Sequence, residues 1–259
     1  MTTPNAAPDR IRFFDTAIDL ASMDELIARA EEAMATRKLM RHTAINVAKL
    51  VKLRKDSELA EDVNTSDIVG IDGQGIVYGL RLFGLKSATR VAGIDLFLGL
   101  LDHCARTGRK PFILGARQEA LDEAIRVAKQ NYPGLEFAGA RNGYFTRDEH
   151  EEVVAEIASS GADCLFVAMP TPHKERFLRA YSERLNVPFI MGVGGSVDVL
   201  AGRISRAPAW MQKVGLEWFH RMVKEPRKMI GRYAQTNSVY AWLLTRALIT
   251  GNNPIEPAR

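Results

Sequence analysis

Cysteine is nearly absent from this 259-residue chain: Cys104 and Cys164 are the only two. Each stands in an apolar stretch, which excludes a disulfide framework and reads as two buried free thiols in a reducing compartment. Long apolar runs are missing as well. The nearest, residues 239–249, is interrupted by Arg246 and falls short of the ~20 residues that cross a bilayer. Residues 1–10 are polar, carry two prolines and show no cleavage signature, so they read as a frayed end and not as a signal peptide. The five histidines have no paired ligand spacing, and no Asp-x-Asp occurs, which leaves no metal signal. Neither GxxxxGK[ST] nor GxGxxG is present, so a P-loop is unsupported and a dinucleotide site is weak.

What is there is ordinary in bulk and uneven in detail. Hydrophobic residues make up 46% and charged residues 25%, which excludes disorder, collagen and coiled coil for the whole chain. Net charge is +4, but ten basic and three acidic residues fall in 203–259, giving +7 there and −3 for residues 1–202. Such asymmetry points to an anionic partner for the tail: nucleic acid, membrane or phosphate. The tail also holds all three tryptophans, Trp210, Trp218 and Trp242. Aromatics among cations suit a lipid headgroup layer; a helical pair with a solvated basic face is the plainer alternative.

Strand-like runs at 67–71, 89–92, 111–114, 135–138, 164–169 and 188–193 alternate with helical patterns at 95–107, 117–130, 147–159 and 173–184. Short continuous apolar strands between helices predict an α/β fold with a largely parallel sheet. Residues 1–60 read mainly as helix, around 22–34 and 46–55. Beyond Gly202 no strand signal is found, and helices are predicted at 210–222 and 227–250. The expected organisation is an α/β core over 1–202 and a helical appendage over 203–259.

Ligands of open parallel sheets bind beyond the carboxyl ends of the strands. Asp72 follows one such end and precedes Gly73 and Gly75. It is either a turn aspartate or a carboxylate at the cleft mouth, able to act as a general base on a hydroxyl. Gly192-Val193-Gly194-Gly195-Ser196, with Asp198 beyond, is either a tight turn or a backbone cradle for phosphate. Without a metal, a departing diphosphate would need cations and backbone N–H groups; Arg90, Lys174, Arg203 and Arg206 are candidates by position.

Taken together the motifs resemble a known family. They are Thr43-x-x-Asn46, Ile71-Asp72-Gly73-Gln74-Gly75, Arg90-Val91-Ala92-Gly93-Ile94-Asp95, Phe112-Ile113-Leu114-Gly115, Gly143-Tyr144-Phe145 and Pro172-x-x-Glu175. Gly192-Val193-Gly194-Gly195-x-x-Asp198, Arg206-Ala207-Pro208-x-Trp210, Gly215-Leu216-Glu217-Trp218-x-x-Arg221, Glu225-Pro226-Arg227 and Arg232-Tyr233 complete the set. Over residues 40–235 the chain is similar to the WecG/TagA/CpsF glycosyltransferases, glycosyltransferase family 26. The resemblance implies a Rossmann-like α/β core with a basic helical C-terminal appendage that docks on the membrane and completes the active site, so that removing the residues after Gly202 would cost activity more than core folding. It also implies an inverting hexosyltransferase that needs no metal and no cofactor. The donor would be a UDP-sugar (UDP-glucose, UDP-N-acetylmannosamine or its uronate). The acceptor would be a polyprenyl-diphosphate-linked saccharide on the inner face of the plasma membrane, in surface or exopolysaccharide synthesis. The implied partners are these substrates and an anionic membrane surface, not nucleic acid; homo-oligomer formation stays open.

By the same resemblance Asp72 is the general base, with Thr43 and Arg90 important for activity. Asn46, Gly115, Lys174, Glu175, Gly194, Gly195, Asp198, Arg203 and Arg206 are expected at the substrates. Arg221, Arg227, Arg232 and Trp218 are expected at the lipid diphosphate or membrane. One departure stands out: Lys174 occupies a position where the family commonly has Gln, so a neutral amide becomes a cation with donors only. This shifts the expectation for the donor from an N-acetyl sugar towards glucose and the exopolysaccharide branch. The alternatives are a non-catalytic α/β nucleotide-binding module with a basic tail, or a Rossmann dehydrogenase, which the glycine spacing disfavours.

Overall fold

A computed structural model describes residues 9–213 and 215–257, without the side chains of Asp9, Lys213, Lys228 and Arg232. Its elements, in chain order, are β1 Asp9–Phe13, β2 Thr16–Leu20, α1 Met23–Thr36, β3 Met40–Ile45, α2 Val47–Leu53, α3 Ser57–Asn64 and β4 Ile68–Ile71. Next come α4 Gln74–Leu82, α5 Gly93–Thr107, β5 Pro111–Gly115, α6 Gln118–Asn131, β6 Gly139–Arg141, α7 His150–Ser159, β7 Cys164–Ala168 and α8 His173–Tyr181. The chain continues through β8 Phe189–Gly192, α9 Ser196–Leu200, α10 Ala209–Lys213, α11 Glu217–Lys224, α12 Pro226–Thr250 and β9 Ile255–Pro257.

Six strands form an all-parallel sheet in the order β4-β3-β8-β7-β5-β6. Alternation along each strand splits the side chains between two faces. Ile68, Ile113, Cys164, Phe166, Phe189 and Met191 meet α1, α5, α6 and α9 on one face. Ile45, Val69, Phe112, Leu114, Leu165, Val167 and Ile190 point to the other, under α2, α3, α7 and α8. Both faces being covered is why these strands read as unbroken apolar runs. Cys104 and Cys164 are buried free thiols on the first face. A smaller antiparallel sheet, β2-β1-β9, packs beside β4. There the Asp19 carboxylate, paired to Arg10 at 2.7 Å, accepts a hydrogen bond from the Val69 N–H at 2.6 Å and so satisfies a donor on the edge strand.

The α/β prediction is confirmed, with local differences. Residues 89–92 are not a strand: Val91 N–H bonds to the Ile71 carbonyl at 2.9 Å and the segment runs straight into α5. The 135–138 run is displaced; the strand starts at Gly139, over which the Phe112 ring lies. β1, β2 and β3 occupy a region expected to be mainly helical, and β9 lies in a tail expected to have no strand. The helix expected over 210–222 is two, α10 and α11, with Gly215 between them at φ +75° against Gln74.

The part beyond Gly202 returns to the body of the molecule. Tyr240 and Leu243 of α12 are buried in the same cluster as Phe13, Ile18, Leu50 and Ile76, α12 packs on α2, and β9 pairs with β1.

Candidate active site

The carboxyl ends of β3, β4, β7 and β8 bring together residues from distant parts of the sequence. At β4, the Asp72 and Gly73 N–H groups both bond to the Ile45 carbonyl, at 3.0 and 3.2 Å. A side chain on Gly73 would lie 2.8 Å from the Asn46 backbone, so the two loops touch only because glycine is there. The half-buried Asp72 carboxylate is fixed by its Oδ1, which accepts a hydrogen bond from Gly93 N–H at 2.7 Å at the start of α5. Its Oδ2 has no hydrogen-bond partner among the described residues. Asp72 is therefore more than a turn residue: a helix start aims one oxygen and leaves the other open.

Arg90 stands three residues before that helix start, its Nη2 2.6 Å from Glu217 Oε2 at the beginning of α11. Arg206 pairs with Asp95 in the first turn of α5 at 2.6 Å and reaches Glu217 Oε1 at 3.5 Å. Arg221 of α11 approaches the glycine loop after β8: its Nη2 lies 3.4 Å from where a Gly195 side chain would begin. Tyr240 donates to the Gly75 carbonyl at 3.0 Å. The appendage is thus seated over the loops that carry Asp72 and Gly195.

Beneath these loops lies a buried charge cluster. Glu175 Oε1 accepts from Lys49 Nζ and Lys174 Nζ, each at 3.1 Å, and from Thr171 Oγ1 at 3.0 Å. Lys174 also donates to Thr171 Oγ1 at 2.8 Å, and Lys49 to Thr43 Oγ1 at 3.4 Å. Burial pushes the Glu175 carboxyl up, but the two ammonium groups outweigh it and hold it down at about 2. Burial first, then the neighbouring Lys49, brings Lys174 down to about 8. The adjoining cavity, lined by Thr43, Asp62, Lys174, Glu175, Arg179 and Gly192, has a volume of about 20 Å³, far below the ~300 Å³ of a small-molecule pocket.

Other expected residues fall around this centre. Asn46 caps α2, its Oδ1 accepting from Lys49 N–H at 3.0 Å, which leaves its amide N–H groups for a ligand. Gly115 is buried at φ +125°, with the Ala168 backbone 2.5 Å from any added side chain; only glycine lets β5 end there. Asp198, on α9, is half-buried within electrostatic reach of Arg117. Arg203 and Arg227 are exposed and make no ion pair among the described residues, and Trp218 is exposed on α11. The Arg232 side chain lies outside the described residues. Unanticipated members are Lys49, Thr171, Asp95, Glu217 and the exposed ring of Tyr144, whose hydroxyl accepts from Arg117 at 3.2 Å. Lys49 had a sequence signal in its place one turn after Asn46, and Asp95, Glu217 and Tyr144 stand inside the quoted motifs; Thr171 had none. Among the described residues no three His, Cys, Asp or Glu side chains gather as a metal site, and no helix is long and apolar enough to cross a membrane.

A profile of the Glycosyl transferase WecG/TagA/CpsF family matches residues 11–254. A protein of Bacillus subtilis strain 168, named N-acetylglucosaminyldiphosphoundecaprenol N-acetyl-beta-D-mannosaminyltransferase, is 32% identical over 172 residues, 66% of each chain. A protein of the same name from Bacillus spizizenii is 34% identical over 166 residues, 64% of each chain. The matched segment thus spans just under two thirds of either relative.

Proposed function

Because this chain belongs to the WecG/TagA/CpsF family of glycosyl transferases, we propose that it moves a sugar from a UDP-sugar to a polyprenyl-diphosphate-linked saccharide. The transfer inverts the anomeric carbon, needs no metal, and serves bacterial surface or exopolysaccharide synthesis on the inner face of the plasma membrane. The observation that carries this reading is the Asp72 carboxylate, aimed by α5 and open at Oδ2. The acceptor hydroxyl gives its proton to Oδ2 as its oxygen bonds to the anomeric carbon. The bond from that carbon to the diphosphate breaks and its electron pair leaves with UDP; a single displacement inverts the centre. Arg90, Arg221 and the backbone N–H of Gly195 are the groups we assign to the growing negative charge; the Gly194 N–H is already given to the Val167 carbonyl at 3.4 Å. The exposed Tyr144 ring offers a flat surface for a base.

Trp210, Trp218, Phe219 and Val223 are exposed on α10 and α11 beside Arg221 and Lys224, a combination that suits an anionic lipid surface bearing the acceptor. For the donor, the named activity of the two relatives makes UDP-N-acetylmannosamine the first candidate and UDP-glucose the second. The Lys174 ammonium is engaged by Thr171 and Glu175, so its difference from the family's Gln adds no unpaired cation to the cleft.

A panel of UDP-sugars with polyprenyl-diphosphate-linked N-acetylglucosamine, assayed with and without EDTA, tests the reading. Asp72→Asn keeps an Oδ1 for Gly93 and is expected to lower turnover by about a thousandfold while UDP still binds in calorimetry. Full activity of that variant would remove Asp72 from the role of base.

A further inference from the structure

Four charged residues join the body of the molecule to the appendage. Arg90 and Asp95 flank the start of α5; Arg206 and Glu217 come from beyond Gly202. The pairs Arg90–Glu217 and Arg206–Asp95 both close to 2.6 Å, and Glu217 Oε1 stands 3.5 Å from Arg206 Nε. Glu217 is one of only three acids in residues 203–259, yet it is the one set against the arginine beside the candidate base. The side chains are 15% exposed for Arg90 and 23% for Glu217, shielded enough that salt screens the pair less than a surface one. Among the described residues Glu217 is the only ion-pair partner of Arg90.

Arginine is long and loses much rotamer freedom when held, but its planar fork is directional once one carboxylate fixes it. Asp72 is aimed by a backbone N–H of α5, which the body supplies by itself. Arg90 is aimed by a carboxylate that only the appendage supplies. The geometry points to Glu217 as the positioning residue for Arg90, one that makes the cation of the site conditional on a seated appendage. This rests on the transferase reading, in which Arg90 meets the departing diphosphate. Unseating α11 alone would leave the base aimed by Gly93 and the cation without its carboxylate.

The full-length protein carries the test. Glu217→Gln is expected to lower kcat by about tenfold or more, with the donor KM within about threefold, because the charge Arg90 meets grows in the transition state. Glu217→Asp keeps the charge and is expected to recover part of kcat. Hydrogen exchange supplies a readout that needs no turnover: in Arg90→Ala, the amides of α11 are expected to exchange about tenfold faster than in the wild type. If the wild type turns over no UDP-sugar, the transferase reading fails, and the exchange result still decides whether Arg90 and Glu217 are coupled. Unchanged α11 exchange in Arg90→Ala, or a Glu217→Gln kcat within about twofold of wild type, overturns the proposal. Equal loss of activity in both Glu217 variants with faster exchange throughout α10–α12 also overturns it, since Glu217 would then only fasten the appendage.

Discussion

His42 sits on β3 with its ring against Gly70 and, among the described residues, neither ring nitrogen is hydrogen-bonded. Burial, with a smaller contribution from Lys49, pulls its pKa down to about 4 from 6.5. Between those values the unfolded chain binds a proton that the folded chain refuses, so stability falls as pH drops from 6.5 to 4, by up to ~3 kcal/mol. His42→Leu is expected to flatten that part of the profile, measured as urea midpoints at pH 7 and pH 4.5; an unaltered difference between the two would show that His42 does not titrate in this way. Glu175 acts lower down, its folded carboxyl held at about 2 against an ordinary 4.5, so its contribution is complete above pH 4.5, declines as pH falls from 4.5 to 2, and is gone below 2. At this scale the sequence was legible where a residue type and its place agree. Asp72 follows a strand and precedes glycine, and it does stand at the strand end. Lys49, Lys174 and Glu175 were not legible as a unit, because 125 positions separate Lys49 from Lys174 and only the fold brings the Lys49 ammonium to Glu175 at the start of α8.

Gly79 and Tyr240 show the same dependence for whole elements. A side chain at Gly79 would fall 2.0 Å from the Tyr240 hydroxyl and 2.9 Å from the Phe13 ring, so α12 lies on α4 through a gap that only glycine leaves. Gly79→Ala is expected to destabilise the protein by ~2 kcal/mol or more through overpacking, and Tyr240→Phe in the same chain should restore part of it by removing the nearer atom. Thermal melts of the single and double variants decide this; a single variant as stable as wild type would mean that α12 has slack at this contact. Strands were legible where they are long, apolar and central, as in β5, β7 and β8. The β1–β2 hairpin was not: Phe14 and Asp15 take φ +48° and +64° in its turn, without the Asn-Gly or Asp-Gly pair that advertises such a turn. β9 is three residues long, and its pairing with β1 is what makes it a strand.

For the whole molecule, the part beyond Gly202 shares its packing with the body. Tyr240 and Leu243 lie in a core shared with the N-terminal hairpin and α2. Cutting after Gly202 removes them together with β9. At ~1.5–3 kcal/mol for each large apolar side chain exposed, with several partners newly exposed as well, the loss rivals the 5–15 kcal/mol that holds an average domain. A chain ending at Gly202 is expected to lose its cooperative melt as well as its activity, contrary to the expectation that activity would suffer more than folding. A truncated protein with a wild-type circular-dichroism melt would refute the shared core.

The sequence by itself determined the class of the fold, because buried parallel strands and amphipathic helices carry their burial pattern in local periodicity. It also determined the family, through motifs kept in order, and the location of the positive charge, which is a matter of counting. The tertiary structure decided which charges meet. It turned an acid of the basic tail towards Arg90, buried Lys174 against Thr171 and Glu175, and returned part of the tail to the core. Ion pairs and shared cores join residues far apart along the chain, and no local pattern records the distance between them in space.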